Sequence, residues 1–283
     1  MKNHHHALFQ HFPLKGVTQL TTGEVPTPYH IYDGYGAFIG GIANLDAMRH
    51  LLKGEQVTPV QTTDGHALMG IWICNFTEAS LGPHHELQIS VFVSPKQIID
   101  IPPHPLSVLT IMLTRPDVLM LCHGLWNNTP TVVAYNRELL SLNARLSESQ
   151  IDRDAQQLTF SVKDKLTNTP ILSGTASKPG QASVRATMAL AARLGFGTTL
   201  RLRQQPWTSM RVVNPLGVVL NHNAIAEAHN KNDVNNVRFF ESPADTVTCE
   251  IDTYSKLGFT PQFVQHMSGF KFVYLNPQFG PTA

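Results

Sequence analysis

The sequence predicts an α+β fold made mainly of antiparallel strands, arranged as one barrel-like sheet with helices packed outside it. Short runs rich in β-branched and aromatic residues recur along the 283 residues, separated by Gly, Pro, Asn and Asp. Hydrophobic residues make up 42% of the chain and charged residues only 14%, which is enough apolar material for a deep core. No repeat or linker divides the chain, so we expect one domain over residues 13–283 after an N-terminal extension, residues 1–12.

The clearest predicted strands are residues 29–41, 67–76, 86–93, 157–163, 171–176, 211–220 and 270–275, with a further apolar strand at 119–125. In the third of these strands, Leu87, Ile89, Val91 and Val93 alternate with the other residues and form one apolar face. Because side chains alternate along a strand, Glu86 is predicted to point away from the face that holds Leu87.

Helices are fewer. Residues 44–52 form the best candidate, because Asn44 can cap the first turn, Asp46 lies within that turn, and an apolar stripe runs to Gly54. A second helix is predicted over residues 130–142. Residues 187–194 fit either a helix or a strand, and the sequence leaves both open.

Composition also limits the partners. A formal net charge of +1 provides no broad positive field for phosphates, which argues against nucleic acid. The three cysteines are far apart and fit neither a disulfide framework nor a zinc site, so we expect a reducing, cytoplasmic compartment, no metal and no cofactor. No apolar run reaches the length of a membrane span, and we expect no membrane partner.

Several nucleotide and hydrolase motifs are missing. Residues 34–40 contain three glycines, but the third comes one residue late for a dinucleotide loop and no strand-turn-helix unit surrounds them. A strand with close backbone contacts explains these glycines better. The chain also lacks a P-loop, a G-x-S-x-G elbow and an H-E-x-x-H helix, which removes the main support for phosphoryl transfer, serine hydrolysis and zinc proteolysis.

Titratable side chains concentrate between two apolar strands, at Glu78, His84, His85 and Glu86. If both glutamates point into a closed interior, loss of water raises their pKa values, and their proximity splits them into one acid and one base. The alternative is an exposed Gly-Pro turn with solvated acids and histidines. The pattern alone does not decide between a buried pocket and this turn.

Three motifs resemble the acetoacetate decarboxylase-like superfamily. Residues 76–87, F-T-E-A-S through G-P-H-H-E-L, resemble its T-E-S and G-P-Y-x-E patterns, with His84 where an aromatic residue is common. Residues 136–146 resemble its G-R-E-L-x-x-x-P-K-K-L, and residues 46–49 resemble its D-A-L-R. The motifs follow the order of the family. The resemblance implies a closed, cone-shaped β-barrel with peripheral helices, a small-molecule substrate and assembly into a homo-oligomer.

The sequence departs from the family at the pair of lysines that serves imine formation. Ala144 and Arg145 occupy the matching positions, and neither side chain is an amine nucleophile. The family's carboxylate on the preceding strand has no match in residues 67–74, so Glu78 is the catalytic residue carried over by the resemblance. We therefore expect that the protein is not an acetoacetate decarboxylase.

The predicted site contains three catalytic candidates, namely Glu78, Glu86 and His84. Candidates for substrate binding are Arg145, Arg137, His85, Tyr35 and His123. Each has a structural alternative: Arg145 as an exposed cation, Arg137 with Glu138 as a tie between helix and sheet, His123 as a core histidine, and Tyr35 and Tyr32 as packing aromatics.

Three functions remain open at this stage. The first is an enzyme, a lyase, hydrolase or isomerase, that acts on a keto acid, an enolisable carbonyl or a polyketide-like compound by acid/base chemistry without an imine. The second is a non-catalytic barrel that binds a small molecule. The third is imine chemistry from a relocated lysine, Lys163 or Lys165.

Overall fold

The structure is a computed structural model, and it describes residues 5–95, 97–178, 180, 185, 189–190, 192–193, 208–213, 225–231 and 237–277. The strands are β1 (Gly16–Leu20), β2 (Gly23–Thr27), β3 (Tyr29–Asn44), β4 (Thr58–Pro59), β5 (Gln61–Thr62), β6 (His66–Ala79), β7 (His84–Ser94), β8 (Asp100–Ile101), β9 (Leu119–Asn127), β10 (Ala144–Arg153), β11 (Gln157–Asp164), β12 (Pro170–Ser177), β13 (Thr208–Val213), β14 (Ile225–Lys231), β15 (Val237–Phe239), β16 (Thr246–Cys249), β17 (Thr260–Ser268) and β18 (Lys271–Tyr274). The helices are α1 (Ala7–His11), α2 (Leu45–Leu51), α3 (Ser107–Thr114), α4 (Pro130–Ala134), a π-helical turn (Tyr135–Leu139) and α5 (Asp252–Ser255).

Seven strands hydrogen-bond in a closed circuit. β3 pairs with β6, β6 with β7, β7 with β9, β9 with β13, β13 with β14 and β14 with β18, which returns to β3. Every neighbouring pair is antiparallel except β9 and β13, which run parallel. The mainly antiparallel, barrel-like sheet predicted from the sequence is confirmed.

The long strands of the barrel also carry a second layer. Beyond the barrel, β3 pairs with β17, and β9 pairs in parallel with β10, which continues into β11, β12 and β16. Alternate residues of β3, β6, β7 and β9 therefore face two different cores. Phe38 and Phe92 face the barrel interior, whereas Ile39 and Ile89 belong to the outer core with Phe160 of β11.

A buried ion pair joins the end of the second layer to β15. Arg238 Nη1 lies 2.6 Å from Asp245 Oδ2, and both side chains are almost fully buried. Arg238 Nε donates to the Ser177 carbonyl at 3.0 Å, and the Ser177 backbone N–H donates to Asp245 Oδ1 at 2.8 Å. The two side chains therefore neutralise each other's charge. They also hydrogen-bond the backbone of Ser177, the last residue of β12.

Most predicted elements are confirmed. The strands predicted at 29–41, 67–76, 86–93, 119–125, 157–163 and 171–176 are present as β3, β6, β7, β9, β11 and β12, and residues 270–275 contain β18. β13 covers the start of the strand predicted at 211–220, and residues 214–220 lie outside the described residues.

The helix predictions hold with two changes. The Asn44 side chain accepts from the Ala47 N–H at 2.8 Å and caps α2 as predicted. The helix predicted over 130–142 ends at Leu139 and has a π-helical second half. In the ambiguous segment 187–194, the four described residues, 189, 190, 192 and 193, are helical, and the others lie outside the described residues.

The N-terminal extension takes part in the fold. Leu8 and Phe9 of α1 are buried against Tyr32 and Val273 on the outside of the barrel. Residues that we left out of the predicted domain thus contribute to its packing. Within the described ranges, no helix has both the length and the apolar character needed to cross a membrane.

Candidate active site in the barrel cavity

The barrel interior contains a small, partly open cavity of about 40 Å³, which is room for roughly three water-sized groups. Its described lining is mostly apolar and comes from β6, β7, β9, β13, β18 and α3. The lining residues are Trp72, Cys74, Phe76, Glu86, Gln88, Met112, Met120, Val212, Phe270, Phe272 and Tyr274. A polar group placed among these side chains has little water around it, so its protonation and hydrogen bonding are set by the protein.

Glu86 is the carboxyl group of this cavity. It lies on β7 opposite Cys74 of β6, on the face away from Leu87, as the alternation of β7 predicted. Burial raises its pKa from 4.5 to about 7, although a hydrogen bond from Asn127 Nδ2, 3.1 Å from Oε2, acts in the opposite direction. Asn127 is held in turn by Asn136, whose Nδ2 donates to Asn127 Oδ1 at 3.0 Å. Glu86 can therefore exchange a proton near neutral pH.

His84 lies next to the cavity and is committed to two hydrogen bonds. Its Nδ1 is 2.8 Å from the Gly82 carbonyl oxygen, which can only accept, so Nδ1 carries the ring proton. Nε2 then accepts from the Tyr29 hydroxyl. Burial lowers the pKa of His84 to about 4, so the ring is neutral at pH 7. These bonds suit a residue that positions Tyr29 and the start of β7.

Two hydrogen-bond donors of the cavity wall have no partner in the described part of the chain. These are the hydroxyl of Tyr274 and the indole N–H of Trp72, in side chains that are 5% and 9% exposed. Burial, with smaller contributions from Cys122 and Glu86, holds the pKa of Tyr274 far above its usual range, so its hydroxyl keeps its proton. Buried donors without partners are costly, and a ligand oxygen in the cavity would satisfy them.

Glu78 is not among the described residues that line this cavity, although the sequence predicted that it shares a pocket with Glu86. Alternation from Trp72, Cys74 and Phe76 would place residue 78 inside. The pairing of β6 with β3 shifts there, because Phe76 pairs with Gly34 while Glu78 pairs with Asp33, leaving Thr77 as an extra residue. The shift turns Ala79 toward the barrel core, and the half-buried Glu78 instead raises the pKa of Tyr32 on the outer side.

Three predicted binding residues lie on the outer face of the shared sheet and do not reach the cavity. His85 Nδ1 is 2.9 Å from Ser149 Oγ, and the Tyr35 hydroxyl donates to the Ile151 carbonyl at 3.0 Å. His123 is the extra residue of a bulge in β9, and its Nδ1 lies 2.8 Å from the Tyr254 hydroxyl. For Tyr35 and His123, these contacts fit the structural alternatives, a packing aromatic residue and a core histidine respectively.

The two predicted arginines are exposed. The guanidinium of Arg145 lies 5.9 Å from the ring centre of Trp126, which belongs to the outer core. Arg137 lines an open surface groove at the π-helical turn. Its neighbour Glu138 accepts hydrogen bonds from the Thr21 backbone N–H and hydroxyl, and thus ties this turn to the β1–β2 hairpin. Neither arginine reaches the barrel cavity.

Ala144 occupies the interior position that the resemblance assigns to the imine-forming lysine. It is 2% exposed and packs in the barrel core at the start of β10, next to Leu125 of β9. Lys163, a candidate for a relocated lysine, forms an ion pair of 2.8 Å with Glu148, and Lys165 is exposed. No lysine lines the described wall of the cavity.

Metal binding has no obvious site in the described ranges, since no three His, Cys, Asp or Glu side chains come together as metal ligands would. The two thiols of the barrel core, Cys74 and Cys122, are free and buried, and burial raises their pKa values well above the usual range. They remain neutral thiols, and Cys74 lines the cavity.

The chain has the fold of the acetoacetate decarboxylase-like superfamily. Acetoacetate decarboxylase from Legionella pneumophila is similar to it with a TM-score of 0.58 and 11% identity, over 97% of this chain and 95% of that one. Another acetoacetate decarboxylase structure gives 0.55 and 12%, over 90% and 91%. The enduracididine biosynthesis enzyme MppR, complexed with pyruvate, gives 0.50 and 10%, over 89% of each chain. No protein-family model and no curated protein matches the sequence.

Sequence reasoning missed Trp72, Tyr274 and Asn127. Trp72 alternates with Cys74 and Phe76, which is a signal that it shares their face. Nothing local connects it with Tyr274, about two hundred residues later, because the closure of the barrel through β18 brings the two strands together. The pairing of Glu86 with Asn127 depends in the same way on the β7–β9 register.

Proposed function

We propose that this chain is an enzyme that enolises a small carbonyl compound by general acid/base catalysis, with Glu86 as the proton-transferring group and without an imine. The observation that carries the proposal is the carboxyl group of Glu86, whose pKa is raised to about 7, in a small apolar cavity whose described lining includes two residues with unpartnered buried donors. An α-proton of a carbonyl compound needs a base of this strength near neutral pH.

Glu86 acts first as a carboxylate. It removes a proton from the carbon next to the carbonyl group, and the electron pair of that C–H bond moves toward the carbonyl oxygen to form an enolate. The protonated Glu86 then returns a proton to the same carbon, the electron pair moves back from oxygen to form the C–H bond, and the carbonyl group and the Glu86 carboxylate are restored. The hydrogen bond from Asn127 keeps the carboxylate oriented while the proton moves.

Tyr274 and Trp72 supply the complementary half of the site. Trp72 on β6 and Tyr274 on β18 flank β3 and both line the cavity, and in this proposal their N–H and O–H groups bind the carbonyl oxygen and the negative charge that develops on it. The pKa of Tyr274 is so high that it donates a hydrogen bond without giving up its proton. Donors of this kind stabilise an enolate more than the neutral ketone.

Two further features bear on the substrate. The described lining contains no cation, which favours an uncharged carbonyl group at the reacting end over a carboxylate. The volume of about 40 Å³ admits only a few non-hydrogen atoms, so we expect the reacting end to be small. MppR, a structural neighbour, holds pyruvate, which is also a small carbonyl compound.

The test is exchange of α-protons for deuterium, followed by proton NMR in D₂O with acetone, butanone and acetylacetone as probes. We expect catalysed exchange by the wild-type chain and a loss of about 10²–10⁴-fold in Glu86→Gln, which keeps the shape of the side chain. Glu78→Gln is the matched control, because Glu78 lies on the neighbouring strand and is not among the described residues that line the cavity. Equal exchange by wild type and Glu86→Gln would contradict the proposal.

Imine chemistry and simple binding give different results. Borohydride treatment with acetoacetate or pyruvate, followed by intact mass, is expected to show no adduct, and a stable adduct would revive a lysine nucleophile. A non-catalytic barrel would bind the ketones saturably with no exchange above background. Either result would replace the acid/base proposal.

A further inference from the structure

A second cavity lies on the outer face of the shared sheet, away from Glu86. Its volume is about 280 Å³ and it opens to solvent between β3, β11 and β17. This size is near the lower end for small-molecule sites. The groups that give it chemistry are Arg153, Lys178, Tyr35 and His266.

Two cations stand at this cavity. The Arg153 guanidinium lies 4.2 Å from the ring centre of Tyr35. The Tyr35 ring is itself held, because its hydroxyl donates to the Ile151 carbonyl at 3.0 Å and accepts from Asn75 Nδ2 at 2.9 Å. Stacking on a held ring positions the guanidinium and leaves its N–H edge for a ligand.

Lys178 adds the second positive charge, and its ammonium group donates to the Asp154 backbone carbonyl. The Asp154 carboxylate is engaged elsewhere, because Oδ1 accepts from the backbone N–H groups of Gln156 and Gln157 at 2.6 and 2.9 Å. Within the described ranges, no carboxylate forms an ion pair with Arg153 or Lys178. Two cations at one opening, neither within ion-pair distance of a described carboxylate, attract an anion.

His266 lines the same cavity and carries a buried acceptor. It is 9% exposed, and its Nε2 has no partner in the described part of the chain. The His266 ring forms a hydrogen bond with the Ser177 backbone carbonyl, which can only accept. Because Nε2 has no partner among the described residues, the donor in this bond is Nδ1, and the ring proton is on Nδ1. Burial and the nearby Arg238 lower the pKa of His266 to about 4. Nε2 is thus an unused lone pair that a hydroxyl group can satisfy.

We propose that this outer cavity is a binding site for a small organic anion that carries a hydroxyl group. The carboxylate of the ligand binds Arg153 and Lys178 at the opening, and its hydroxyl donates to Nε2 of His266. The site does not depend on the chemistry of the barrel cavity, because Tyr35 and Glu86 lie on opposite faces of the same sheet. The outer cavity therefore binds its ligand whether or not the barrel cavity is occupied.

Isothermal titration with malate tests the proposal, with succinate as a probe of the same length and charge that lacks the hydroxyl. We expect saturable binding of malate that weakens with added salt, and weaker binding of succinate. Arg153→Gln and Lys178→Gln should each weaken malate binding by about tenfold or more. Lys163→Gln is the control, because this lysine lies on β11 outside the cavity and pairs with Glu148.

His266→Leu separates the two halves of the site. It should reduce malate binding to the level of succinate and leave succinate binding unchanged, and the comparison of the two acids in the wild-type chain gives the same information if the variant does not fold. Equal affinity of the wild type for malate and succinate would overturn the role of His266. Absence of saturable binding, or unchanged malate binding in Arg153→Gln and Lys178→Gln, would overturn the site itself.

Discussion

Glu86 and Asn127 form a hydrogen bond of 3.1 Å between two neighbouring strands of the barrel. Their positions on β7 and β9 are directly paired, so the register of the sheet, and not a loop, sets this contact. Asn127 is fully buried, and its other amide atom accepts from Asn136. The carboxylate is therefore held by a chain of amides that continues into the π-helical turn, where the motif resembling the superfamily begins.

The first prediction concerns the pKa of Glu86. The bond from Asn127 stabilises the charged carboxylate and lowers its pKa against the effect of burial. Asn127→Ala removes that bond, so the pH at which exchange reaches half its maximum should move upward from about 7. Asn143→Ala is the control, because Asn143 donates to the His123 carbonyl and does not contact Glu86. A midpoint that stays in place or moves downward would contradict the role given to Asn127.

The second prediction concerns stability and pH. Burial raises the pKa of Glu86 from 4.5 to about 7, so the folded chain keeps a proton that the unfolded chain has lost. The stability that this proton provides is complete below pH 4.5 and is lost as pH rises to 7. At about 1.4 kcal/mol per pKa unit, the loss is at most about 3.4 kcal/mol.

Glu86→Gln removes this dependence, so its free energy of unfolding relative to wild type should be higher at pH 8 than at pH 4.5. Urea unfolding at the two values measures the difference. Glu148→Gln provides a control of opposite sign, because Lys163 lowers the pKa of Glu148. The free energy of unfolding of this variant relative to wild type should be lower at pH 8 than at pH 4.5. Parallel pH curves for wild type and Glu86→Gln would show that the Glu86 carboxyl is not desolvated.

The third prediction compares two buried tyrosines that differ in hydrogen bonding. The Tyr29 hydroxyl donates to His84 Nε2, so Tyr29→Phe leaves a buried acceptor without a partner and should destabilise the fold by about 1–3 kcal/mol. The Tyr274 hydroxyl has no partner in the described ranges, so Tyr274→Phe should leave stability unchanged or raise it while slowing proton exchange. Denaturant unfolding and the deuterium assay on both variants test this contrast, and equal loss of stability would contradict it.

Much of the fold could be predicted because local patterns decided it. Alternation in residues 86–93 placed Glu86 opposite Leu87, and Asn44 predicted the start of α2. The closure of the barrel could not be read in the same way. It depends on β18 pairing with β3 across more than two hundred residues, and no short-range signal in the sequence encodes that contact.

The candidate site was predictable only in part, for a related reason. The prediction placed Glu78, His84, His85 and Glu86 in one pocket because they are close in sequence. A bulge at Thr77 turns Glu78 outward, and the period of two in β7 sends His85 to the outer face while Glu86 points in. One extra residue in a strand reverses every later side chain, and a bulge of this kind has no distinctive composition.

The last prediction concerns the ion pair that joins β15 to β12. Arg238 and Asp245 are both nearly inaccessible to water, and each also hydrogen-bonds Ser177. Removing either charge therefore leaves the other charge buried without a counter-ion. Asp245→Asn should lower the free energy of unfolding by about 3–5 kcal/mol. Asp117→Asn breaks a pair of similar geometry, 2.7 Å to Arg115, on the surface, where the loss should stay below about 1 kcal/mol. Urea unfolding of the two variants measures both losses, and comparable effects would show that water reaches the Arg238–Asp245 pair in solution.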